Sequence, residues 1–129
     1  MPLTVTGFCE FGMVVKLKAV CFLAVLHEIY HAYLDAQDGL PFNPETDLEP
    51  SHEYMMQHYT DDIAAALKTM FPSLDDATAT ALALGGYGDV QNINPTFWNT
   101  TLSNNHVTNA QVTHVNTYYE NGSEGTLCH

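Results

Sequence analysis

Apolar residues run almost unbroken from Val14 to Leu26 and again over Ala32 to Leu34. That pattern predicts a helix buried on nearly all sides. A second helix is predicted from about Ser51 to Met70. At about 100° per residue, Met55, Met56, Tyr59, Ile63, Ala66, Leu67 and Met70 form one apolar stripe, with Asp61 and Asp62 on the polar surface. Phe71-Pro72 ends it, and Ser73 with Asp76 forms a capping pair for a third helix, Leu74 to Leu84, which Gly85-Gly86 stops. The stretch from Tyr87 to Asn105 is read as irregular, since Asn92-x-Asn94-Pro95 and Asn99-Thr100-Thr101 favour turns. A last helix from about Thr108 to Glu120 buries Val112, Val115 and Tyr119 and leaves His114 at the surface. Leu3 to Phe11 is expected to supply a strand. Asp38-Gly39 and Pro41-Phe42-Asn43-Pro44 close the first helix, and an acidic loop, Glu45 to Pro50, returns the chain to His52 and rims the site.

The 129 residues predict a single domain of mainly α (α+β) class with few short strands. Fifteen acids stand against three lysines and no arginine, a formal net charge of -12. Phosphate contacts need lysine and arginine in numbers, so nucleic acid is excluded as an expected partner, and an anionic membrane surface with it. Lys16 and Lys18 ahead of Ala19 to Leu26 imitate a secretory signal. Cleavage there would remove or abut the chemistry described next, and the run is too short to span a bilayer. The short stretch before that chemistry is read as the mark of a domain excised from a larger polypeptide, whose own export signal would lie upstream. Secretion or surface display within such a parent, or a cytoplasmic life, are both compatible with the sequence.

Within the first helix stands His27-Glu28-Ile29-Tyr30-His31. Two histidines four apart on a helix share a face, so both imidazoles reach one metal ion, and the glutamate between them falls beside the metal's open position. There it can take a proton from water that the metal has acidified, the requirement for hydrolysing an amide at neutral pH. His27 and His31 are therefore candidate zinc ligands and Glu28 the candidate catalytic base. A hydrolytic zinc needs a third protein ligand. His52 lies near the midline of the second helix's apolar stripe and points into the core, Glu53 about 100° away at its edge, and His58 about 120° away on the other side. His52 is preferred and Glu53 ranks second, because a helical glutamate some twenty residues on serves another large zinc-protease group.

Leu26-His27-Glu28-Ile29-Tyr30-His31-Ala32-Tyr33-Leu34 resembles the active-site helix of the SprT-like minimal zincins. The later segments are similar to a branch found near the C-termini of large bacterial surface and secreted proteins. They include His52-x-x-Met55-x-x-x-Tyr59 with Ile63 and Leu67, Ala81-Leu82-Ala83-Leu84-Gly85-Gly86, and a closing Gly122-Ser123-x-Gly125-Thr126-x-Cys128. The resemblance implies a zincin-like metallopeptidase domain over residues 1–129, holding Zn2+ through His27, His31 and His52, with Glu28 as base and a peptide or protein as substrate. Leu84 stands where that branch carries a tryptophan, which argues against a substrate role for the glycine loop.

Two other readings share the motif: a non-catalytic domain that zinc stabilises, and a partner-binding module on a degenerate zincin scaffold. Glu28 favours hydrolysis, because a purely structural site needs no base. For the oxyanion donor, Tyr59 shares the face of His52 but lies about 10 Å along the helix, whereas Tyr87, between Gly86 and Gly88, is mobile enough to approach. Neither is assigned. Of three cysteines, Cys21 is expected to be a small buried hydrophobe. Cys9 and Cys128 would be able to pair in an exported protein, and Cys128-His129 to hold a metal.

Overall fold

A computed structural model describes residues 5–38 and 48–123, with side chains over 18–37 and 51–119. Seven helices make up the described chain: α1 Val5–Asp38, α2 Leu48–His58, α3 Thr60–Met70, α4 Asp76–Gly85, α5 Gly88–Ile93, α6 Pro95–Asn104 and α7 Asn109–Ser123. No strand occurs among the described residues. The strand expected over Leu3 to Phe11 is instead helix from Val5 onward. Extending an established helix fixes one residue per new hydrogen bond, which is far cheaper than starting one, so α1 grows back from its packed half. Cys9 lies on that helix without a described side chain, and Cys128, His129 and the loop portion Gly39 to Asp47 fall outside the described residues.

α1 is not enclosed as its composition suggests. One face, with Ala19, Leu23, Leu26, Tyr30 and Leu34, packs inward, while Val25 and Ile29 stay 60% and 56% exposed. Cys21 is exposed on that outer face and not buried as expected. The remaining six helices are short, and they cover only one side of α1. No helix among the described residues is long and apolar enough to cross a membrane.

The single helix expected over Ser51 to Met70 bends at Tyr59, whose φ of -119° leaves the helical range. Backbone bonds from Tyr59 N to Met55 O, 2.8 Å, and from Ile63 N to Tyr59 O, 2.9 Å, carry the ladder through the bend. Thr60 Oγ1 donates to Met56 O at 2.7 Å, a back-bond that bends helices. Met55, Met56, Ile63 and Leu67 are buried as the stripe predicts, but Met70 is exposed at the helix end.

The cap of α4 is Asp75 and not Ser73: its carboxylate accepts from Thr78 N at 2.7 Å. α4 buries Ala79, Ala81, Leu82, Ala83 and Leu84, and its small side chains let α3 and α7 approach closely. At Gly85 the approach is closest, for a Cβ there would lie 2.0 Å from Asn116 Oδ1.

The segment read as irregular is α5 and α6. Asn94 and Pro95 form a helix start and not only a turn: Asn94 Oδ1 accepts from Phe97 N at 3.2 Å, and Pro95 occupies the first turn, where its missing N–H costs nothing. His106, with a φ of 58°, ends α6 in the left-handed region. Val107 N bonds back to Leu102 O and His106 N to Ser103 O, both at 3.1 Å, which satisfies the last carbonyls. α7 opens with a reciprocal cap between Thr108 and Gln111. It buries Val112 and half-buries Val115 and Tyr119, with His114 exposed, as expected.

Two apolar clusters result. One gathers Met55, Met56, Leu84, Tyr87, Val90, Trp98, Leu102 and Val112; the other gathers Ile63, Leu67, Leu74, Ala79 and Leu82. Tyr30, Tyr59 and Val115 pack against both. α1 and the start of α2 lie across this core, and that crossing sets the functional site.

Candidate metal centre

The four-residue spacing on α1 puts His27 and His31 on one face, one turn apart. α2 delivers His52 to the same point from its first turns. The three Nε2 atoms stand 3.0 Å (His27 to His31), 3.1 Å (His31 to His52) and 3.2 Å (His27 to His52) apart. His31 and His52 are buried and His27 half-buried. The three histidines are thus close enough together to bind one metal ion. Glu53 accepts a hydrogen bond from Asn94 Nδ2 at 2.8 Å, and exposed His58 packs its ring on Tyr54. Neither belongs to the cluster.

The outer nitrogen of His52 shows where that ring carries its proton. His52 Nδ1 lies 2.8 and 2.9 Å from the two carboxylate oxygens of Asp89. An ionised carboxylate only accepts, so Nδ1 carries a proton, the tautomer that leaves Nε2 as the nitrogen able to bind a metal. Ser51 Oγ sits 3.1 Å from His31 Nδ1 and can accept in the same way. His27 Nδ1 faces Gly86, where a Cβ would crowd the ring at 3.1 Å. With lone pairs on all three Nε2 atoms, such distances would be repulsive without a cation among them. Zinc held tetrahedrally by imidazoles separates its nitrogens by about 3.3 Å, close to the spacing here, so the donor set fits that metal.

Electrostatics agree with that fit. Burial, and then the neighbouring His31 and His52, push the His27 imidazole down to about 4, with Glu28 and Asp89 opposing. Burial and His52 likewise lower His31. At neutral pH both rings are therefore uncharged, the form in which histidine binds metals.

Glu28 is exposed beside the cluster and lines a cavity of about 290 Å3 together with His27, Leu23, Leu82, Gly85, Gly86 and Asn116. The glycine loop thus borders the cavity, although the Leu84 departure argued against a role for it. Tyr87 is not the mobile residue anticipated. It is fully buried, with its ring 5.1 Å from that of His27 and 5.3 Å from that of His52. Its hydroxyl is buried without a hydrogen-bond partner, and burial holds the phenol far above its usual range. Tyr87 packs as a buried ring beside the His27 and His52 imidazoles. Tyr59 stacks on Tyr30 at 4.4 Å.

Asp89 and Ser51 are the site residues that the sequence did not disclose. Asp89 lies 37 residues from His52, in the stretch read as irregular. The available hint was chemical: a ligating histidine normally donates its second N–H to a carboxylate. Compared with family models, with curated proteins and with solved structures, the chain gives no match.

Proposed function

We propose that this chain is a zinc-dependent metallopeptidase of SprT-like zincin type, acting on peptide bonds. One observation carries the reading: three imidazoles bring their Nε2 atoms together, and one of them, His27, lines a cavity that Glu28 also lines. His27, His31 and His52 would hold the metal. Zinc bound there would supply a Lewis acid that polarises a carbonyl and acidifies water.

The remaining chemistry belongs to the chain itself. Glu28, exposed to solvent, accepts the proton from the attacking water and passes it to the nitrogen of the leaving amine. Asp89 fixes the tautomer and orientation of His52, and the Tyr87 ring packs beside His27 and His52. The cavity orients the peptide against this edge.

A site in which zinc only stabilised the fold would fill its fourth position with protein. Among the described residues the cluster contains three side chains, which favours catalysis. The net charge of -12 supports a peptide rather than a nucleic acid as substrate. Glu28→Gln is expected to bind zinc as wild type does while losing peptide hydrolysis by at least about 100-fold, the usual contribution of a general base. Full activity in that variant, measured with a quenched fluorescent peptide mixture, would overturn the mechanism.

A further inference from the structure

The cavity beside Glu28 lies between α1, α4 and α7, and its lining divides by chemistry. Val20, Leu23, Ala24 and Leu82 form an aliphatic wall, with His27 and Glu28 along one edge. Among the described residues its lining contains one carboxylate and no lysine. The far end is closed by Asn116 resting on Gly85. Both N–H groups of the Asn116 amide are engaged, donating to Ala81 O at 2.9 Å and Val112 O at 2.8 Å, so that end wall is fixed.

We propose that this cavity is the side-chain subsite next to the cleaved bond, and that it selects an uncharged aliphatic residue of leucine or methionine size. The proposal rests on the peptidase reading and adds to it a substrate class. A volume of about 290 Å3 admits one large aliphatic side chain together with adjoining backbone. An acidic side chain would meet Glu28 and the negative field of the whole chain. A basic one would pair with Glu28 and occupy the carboxylate needed for proton transfer. An acidic side chain would also lose its hydration against the aliphatic wall without a compensating partner. Glycine or alanine would leave that wall wet.

The test uses the zinc-loaded full chain and N-acetyl amino-acid hydroxamates of glycine, leucine, glutamate and lysine, with binding read by calorimetry. The leucine hydroxamate is expected to bind at least about tenfold more tightly than the glycine one, the gain that burying an isobutyl group provides. Ala24→Phe, which fills the cavity from α1, should abolish that preference. Val20→Phe fills it from a neighbouring turn and serves if the first variant does not fold. Equal binding of the leucine and glycine probes to wild type, or an unchanged preference in the filled variants, overturns the subsite. Hydrolysis of peptides without regard to the adjacent residue overturns the subsite alone. Selective binding without any hydrolysis by wild type overturns the peptidase reading.

Discussion

Asp89 does for His52 what no ligand can do for itself: it chooses which nitrogen carries the proton. Both carboxylate oxygens lie within 2.9 Å of Nδ1, so Asp89→Asn exchanges an anionic acceptor for a neutral one of equal size. Zinc affinity is expected to fall about 10- to 100-fold, measured by competition with a chromophoric chelator. Undiminished affinity would show that Asp89 is a bystander. Zinc content in single variants separates the ligand candidates. His52→Ala should lose the metal, whereas Glu53→Ala and His58→Ala should retain it; loss in Glu53→Ala alone would assign the chain to a different zincin group. His52 was legible because helical phase is a local property, read from its position on the stripe of Met55, Met56 and Ile63. Asp89 was not, because its partner is distant in sequence and only the folded chain brings the two together.

At the scale of elements, the long apolar segments were legible and the short ones were not. The helix around His27 announces itself by a long apolar run, and the segment ending at Met70 by periodicity. α5 and α6 are too short to show any, and their start signals, Asn94 and Pro95, serve turns equally well. The bend at Tyr59 was invisible for another reason: Thr60 bonding back to Met56 O replaces no periodic residue. Exposure of one face of α1 was hidden because apolarity says what a residue prefers, not which neighbours the fold brings against it. One junction makes a sharp prediction. Gly85→Ala would ordinarily gain about 1 kcal/mol within a helix. Here the new methyl meets the Asn116 amide, whose two hydrogen bonds prevent it from yielding freely. A net loss of about 1–3 kcal/mol is expected in urea unfolding. Stabilisation by the substitution would show that α4 and α7 adjust independently of Asn116.

For the whole molecule, the metal-free state should be acid-sensitive. His27 is held down at about 4 in the folded chain, against about 6.5 when unfolded, so between those values the unfolded state binds the extra proton. Its contribution to stability is complete above pH 6.5 and drains away as pH falls toward 4. Chelator-treated protein should therefore lose melting temperature between pH 7 and 5, and His27→Gln should lose less. Equal slopes in the two proteins would remove His27 from the account. The same three imidazoles have a mechanical consequence. His31 and His52 lie 21 residues apart, and an ion shared between them would close that stretch as a covalent staple would. Tying off a loop of this length takes about 3 kcal/mol of conformational freedom from the unfolded chain. The metal would thus serve as a cross-link, and whatever strips it would loosen the chain between the two helices before it silenced any chemistry.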